Sequence, residues 1–138
     1  MRLCFSLALL LSALAGPVAA QQWNQLAYYV AYIGPEDMRN SSGQPVRTLG
    51  GVIQQDRANY HRFGIRHAQD EGDPLFNDRG LRARISELVA AGDNARGSLA
   101  QMAQNGQPFG VGVFVCGYGA TPSLIYLVGW GENFSGCF

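Results

Sequence analysis

Apolar residues in this chain follow two different periods. Leu26 to Ile33 (LAYYVAYI) repeats every second residue and is apolar on both sides. Leu26, Tyr28, Val30 and Tyr32 fall on one face, and Ala27, Tyr29, Ala31 and Ile33 on the other. That pattern predicts a strand covered on both faces or central in its sheet. Phe109–Cys116 and Leu124–Trp130 show the same period. Val111, Val113 and Val115 oppose Gly110, Gly112, Phe114 and Cys116, while Leu124, Tyr126, Val128 and Trp130 alternate with Ile125, Leu127 and Gly129. The glycines leave room for rings from a neighbouring strand. Gly117 to Ser123 supplies turn residues, so the last two strands are expected to close an antiparallel hairpin.

The segment between the first strand and this hairpin has helical spacing. After a loop from Glu36 to Val46, Thr48 is placed to cap a helix running to about Phe63, with Gly64 as its C-terminal stop. Leu49, Val52, Ile53, Tyr60 and Phe63 lie within roughly 100° of arc. Asp56 sits in the middle of that arc and His61 well off it. An acidic loop, Ile65 to Phe76, leads to a second helix capped by Asn77 or Asp78, with Leu81, Ile85, Leu88 and Val89 as its stripe. A third carries Ala95, Leu99, Met102 and Ala103. Positions 81, 85, 88, 92, 95, 99 and 102 form one continuous seam, but an unbroken helix from Asp78 to Gln104 would be about 40 Å long. A domain of this size does not cover such a length, so a break is expected at Gly92. The fold class is α+β: three strands in one antiparallel sheet, in the order β-α-α-α-β-β, with the helices on a single face.

Met1 to Ala20 changes the picture of where the protein works. Arg2, the apolar Leu3–Leu14 run, the Gly16-Pro17 break and Val18-Ala19-Ala20 read as a secretory signal peptide. Residues 21–138 then form a single domain, periplasmic or extracellular, with no second segment able to insert stably in a membrane. Cys116 and Cys137 are the two cysteines beyond the leader, and outside the cytosol they are expected to form a disulfide. For a hairpin with Cys116 at its loop end, the tail must then run back across a sheet face and press Phe134 or Phe138 onto it.

Ten Lys plus Arg balance ten Asp plus Glu, and all ten basic residues are Arg. The absence of a basic excess argues against nucleic acid, the absence of Lys excludes Schiff-base chemistry, and the all-Arg usage suggests a GC-rich bacterial genome. Three groups of residues are candidates for function. His61, His67, Asp70, Glu71 and Asp73 lie within 13 residues and are donors that a divalent metal takes, although their spacing matches neither H-E-x-x-H nor an EF-hand. Asp56 is a carboxylate in an apolar stripe, expected to be held by amides or an arginine. Tyr28, Tyr29, Tyr32, Tyr118, Tyr126 and Trp130 are rings on strands, of which Tyr28, Tyr32 and Trp130 make a candidate ligand face. No catalytic motif is present. The expectation is a small exported, non-enzymatic module that binds a protein or another envelope component. The alternatives are a metal-binding protein or metal-dependent hydrolase using His61, His67 and Asp70–Asp73, and a glycan-binding domain using the rings. The oligomeric state is open.

Overall fold

A computed structural model of the chain describes residues 22–94, 97–133 and 136–137. The segment expected to be a signal peptide, Ala95, Phe134 and Phe138 lie outside the described residues. The elements are β1 (Trp23–Ile33), α1 (Leu49–Ala58), α2 (Arg79–Ala83), α3 (Ile85–Ala91), α4 (Ser98–Asn105), β2 (Phe109–Tyr118) and β3 (Thr121–Gly129). The expected α+β arrangement is present: one antiparallel sheet, in the order β1-β2-β3, with helices packed against it.

The central position belongs to β2, not to β1. β1 is an edge strand with one face on the core, where Tyr29, Ala31 and Ile33 are fully buried, and the other open, where Tyr28 is 47% exposed. Its doubly apolar pattern arises because the open face carries rings, not because that face is covered. Val111, Val113, Val115 and Ile125 join the buried side of β1. Val52, Ile53, Phe76, Ile85, Leu88 and Ala103 cover them from the helical side.

Thr48 caps α1 through its hydroxyl, which accepts from the Gly51 amide. The end of this helix departs from the expected geometry. Asn59–Phe63 forms a π turn before Gly64, at φ +68°, stops it. The wider turn changes the angular position of everything after it. Phe63, placed in the apolar stripe by regular spacing, is 45% exposed as a result.

The expected break at Gly92 is present, and there is a second at Arg84, which separates α2 from α3. Gly92 packs so closely on the Ile125 carbonyl that an added methyl group would overlap it. Asp93 follows in the left-handed region at φ +54°. Asn94 then turns onto β3 instead of capping the next helix, and α4 starts only at Ser98. The hairpin connection is also shorter than the turn residues suggested, because Thr121 and Pro122 already pair with Tyr118 and Gly117.

Side chains cover part of each sheet edge. On β1 the Val30 amide donates to Glu71 Oε2 at 2.9 Å and the Tyr32 amide to Asp70 Oδ1 at 2.9 Å, while the Glu71 amide returns a bond to the Val30 carbonyl. On β3 the Leu127 amide donates to Asn94 Oδ1 and the Gly129 amide to Glu132 Oε2. Asn94 Nδ2 donates to the Ile125 carbonyl. These bonds occupy backbone groups that would otherwise template another strand.

Cys116 and Cys137 form a disulfide with their Cα atoms 5.6 Å apart. Cys116 lies between Gln25 of β1 and Leu124 of β3, so both lateral positions are occupied. Its row is the one opposite Val111, Val113 and Val115. Cys137 therefore sits over the outer face of the sheet, and the tail reaches that face as the hairpin geometry requires. Replacing both cysteines with Ser is expected to cost about 3 kcal/mol, from the loop closed in the unfolded chain. The melting temperature should fall by roughly 10 °C with the far-UV spectrum retained; an unchanged melting temperature would contradict the stapling role.

Candidate functional site

The acidic loop is built around one buried cation. Arg57 is fully buried on α1. Its Nε donates to Asp56 Oδ2 at 2.7 Å, and Nη1 donates to Asp73 Oδ2 at 3.1 Å and to the Glu71 carbonyl at 2.9 Å. Its guanidinium lies over the rings of Tyr29 and Tyr60, 4.2 and 4.6 Å from their centroids. Arg57 Nη2 and the Tyr29 hydroxyl are buried without a hydrogen-bond partner among the described residues. Asp73 is held further by the Leu75 and Phe76 amides, and His61 Nε2 lies 2.7 Å from its Oδ2.

A second node lies at the other end of the loop. His67 Nε2 is 3.2 Å from Asp37 Oδ2 and 3.7 Å from Glu36 Oε2. Asp37 is buried and also accepts from the Gly34 amide and from Asn59 Nδ2. Asp70 accepts from the His67 and Tyr32 amides. The proposed metal donors thus separate into two groups: His61 goes to Asp73, and His67 goes to Asp37. Among the described residues no three His, Cys, Asp or Glu side chains are grouped to hold a metal ion.

The two carboxylates on this guanidinium are shifted in opposite directions, although Arg57 itself lowers both. Burial raises Asp56 to about 7, with the adjacent Arg57 opposing the rise. Burial acts in the same direction on Asp73, but His61, the Phe76 amide, Arg57 and the Leu75 amide outweigh it and hold that carboxyl below its usual range. Burial also raises Asp37, against its hydrogen bonds from Gly34, Asn59 and His67. The buried Asp56 is therefore explained by an arginine partner, as expected. The identity of that partner was not legible from spacing: neighbours at i and i+1 do not face each other on a helix, and here the long Arg57 side chain folds back to reach.

The outer face of the sheet is a different kind of surface. No charged residue occurs on any of the three strands. Register places the side chains in rows across that face. One row is Tyr28, Phe114 and Tyr126; the next is Val30, Gly112 and Val128. Beyond them Tyr32 pairs with Gly110, and Trp130 follows the Val111–Gly129 pair. The Trp130 ring fills the space where a Gly110 side chain would stand, so an added methyl would overlap it. Tyr28 leans toward Gly112 and packs on Phe114 at 4.6 Å between centroids. Trp130 is 51% exposed and Tyr118 44%. Tyr32 touches both Trp130 and His67. Between Tyr28 and Trp130 runs a groove of about 250 Å³, floored by Gly112, Phe114 and Val128, with Glu132 at its β3 end.

Tyr28, Tyr32 and Trp130 are therefore brought to one face, while Tyr29 is buried on the opposite side. Phe114 and Glu132 complete the groove without having been singled out in the sequence. Phe114 was marked only by its place in the alternation, and Glu132 lies past the last strand, where no periodicity reaches it. No protein-family model, no curated protein and no solved structure matches this chain.

Two measurements check the buried node. Asp56→Ala leaves the Arg57 cation half-paired, and is expected to cost about 3 kcal/mol in thermal unfolding; no loss would contradict the pairing. Asp56→Asn tests the titration. A folded-state value near 7 means that, between about pH 4 and 7, the native protein keeps a proton the unfolded chain has released. Wild-type stability should fall as pH rises through that window, by at most about 1.4 kcal/mol per pH unit from this group. Asp37 adds the same sign, whereas Asp73 matters only at lower pH, where its contribution is lost as pH falls. The Asn variant should show a flatter profile; identical slopes would contradict the assignment to Asp56.

Proposed function

We propose that this is an exported, non-enzymatic binding module whose ligand surface is the ring-bearing outer face of its sheet. The observation that carries the reading is that this face sets two exposed rings, Tyr28 and Trp130, beside a groove, while side chains cover the Val30–Tyr32 stretch of one strand edge and the Ile125–Gly129 stretch of the other. Recognition by strand addition needs a free edge, and these bonds shorten the edge available, which favours binding through the face. Exposed aromatic patches of this kind mark interaction surfaces. Both imidazoles bond carboxylates that also fix loop amides, which supports a structural use of His61 and His67 over catalysis. The disulfide supports an oxidising compartment, and no helix among the described residues is long and apolar enough to cross a membrane. The ligand is sought in the cell envelope, where an exported protein meets its partners.

The test uses protein recovered from the exported fraction of its own host. Mass spectrometry should show loss of residues 1–20 and a closed Cys116–Cys137 bridge. Immobilised wild type should retain an envelope component that a Tyr28→Ala/Trp130→Ala variant of similar melting temperature does not. An Arg79→Ala control, altered on the exposed start of α2, should bind normally. Equal retention by the double variant, or an intact leader with two free thiols, would overturn the reading.

A further inference from the structure

The groove between Tyr28 and Trp130 carries enough chemistry to name its occupant, given the reading of the outer face above. Its lining offers the rings of Tyr28, Phe114 and Trp130, the glycines Gly112, Gly129 and Gly131, the aliphatic Val128, and one carboxylate, Glu132. It includes no Arg and no His. Ring faces carry the negative lobe of the aromatic quadrupole. Glu132 adds a full negative charge at the β3 end. Its position is fixed by a tight turn: the Gly129 amide donates to Oε2 at 2.9 Å, and the Glu132 amide donates to the Gly129 carbonyl at 3.1 Å. Gly131, at φ +85°, makes that turn without strain.

Every electrostatic feature of this lining therefore favours a cation. The cation must also be poorly hydrated, because apart from the Glu132 carboxylate and the Tyr28 hydroxyl the side chains that line the groove supply no strong hydrogen-bond acceptor to replace its water. A hexose presents several hydroxyls that need donors as well as acceptors, and the side-chain donors of this lining are the Tyr28 hydroxyl and the Trp130 indole N–H alone. A second copy of the chain is disfavoured by size. The outer face spans about 15 by 25 Å, or about 400 Å² per copy, half of the roughly 800 Å² a stable dimer needs on each side. A groove of about 250 Å³ is smaller than an ordinary small-molecule site. It suits a head group.

We propose that this groove binds a quaternary ammonium group of the choline type, with the methylated nitrogen against the faces of Trp130 and Tyr28 and Glu132 as its counter-ion. Such groups are attracted to ring faces and need no hydrogen bond. The Glu132 charge makes the site selective within the class. A trimethylammonium compound that carries its own carboxylate or phosphate meets repulsion there, so free choline is the preferred ligand over betaine or phosphocholine.

The experiment is a titration of the disulfide-intact protein with choline chloride at constant ionic strength, in a Trp23→Phe background so that Trp130 is the fluorescent reporter. A saturable change is expected for choline and for tetramethylammonium, and at least tenfold weaker binding for betaine. Glu132→Gln keeps the bond from the Gly129 amide but removes the charge, and should weaken choline binding about fivefold, the effect of a partly solvated charge pair. Gly112→Leu should fill the groove and abolish binding with Trp130 still in place. No saturable response to choline, equal binding of betaine and choline, or saturation by a neutral sugar in its place would overturn the proposal. If envelope retention still depends on Tyr28 and Trp130 when choline fails, the face is the binding surface and the cation is wrong. If retention fails as well, the reading of the face falls with it.

Discussion

Arg57 is a cation without access to solvent, and the β1 side of the molecule is arranged to make that tolerable. A buried guanidinium needs paired charge and filled hydrogen-bond positions. Asp56 comes from its own helix, Asp73 and the Glu71 carbonyl from the acidic loop, and the rings of Tyr29 and Tyr60 from β1 and the π turn. The partners come from four segments, so holding this one side chain fixes the mutual position of all four. The loop so fixed delivers Asp70 and Glu71 to the free amides of β1. The buried charge and the closed edge are thus two ends of one arrangement.

The other edge reaches the same result by different means. There the break at Gly92 lets α3 end directly on β3, and Asn94 uses both ends of its amide to copy a strand neighbour. A three-stranded sheet has two exposed edges and one uncovered face, and each is a site for association. Carboxylates and an amide occupy part of each edge. The disulfide-tied tail covers part of the face at the Cys116 end. What stays open is the end bearing Tyr28, Tyr32 and Trp130, where glycines on β2 let the rings lie low.

Much of this was legible in the residues because period and punctuation agree. The alternation of Val111, Val113 and Val115, the Thr48 and Asp78 caps, the stop at Gly64 and the break at Gly92 are all local signals, and the structure uses each of them. The disulfide followed from cysteine count. The features that were not legible depend on contacts between distant segments. Nothing local marks Asn59–Phe63 as a π turn, and that turn decides that Phe63 is exposed. The acidic run 70–73 looks like an ordinary solvated turn or a set of metal donors. It becomes an edge cover only because Arg57, 14 positions from Glu71, reaches across to it. Charged residues are assigned to solvent by default, so Arg57 gave no signal of its own; the centrally placed Asp56 did, and it pointed to the right neighbourhood without naming the partner.

The central claim is that Arg57 positions the loop that closes β1. Amide hydrogen exchange in wild type and in Arg57→Met measures it most directly, since a methionine keeps much of the volume and removes the charge. In wild type the Val30 and Tyr32 amides should be protected as strongly as Leu127 on the opposite edge. In the variant Val30 and Tyr32 should lose protection while Leu127 and the β2 amides keep theirs. A folded variant in which all these amides respond alike, or in which Val30 and Tyr32 stay protected, would contradict the account.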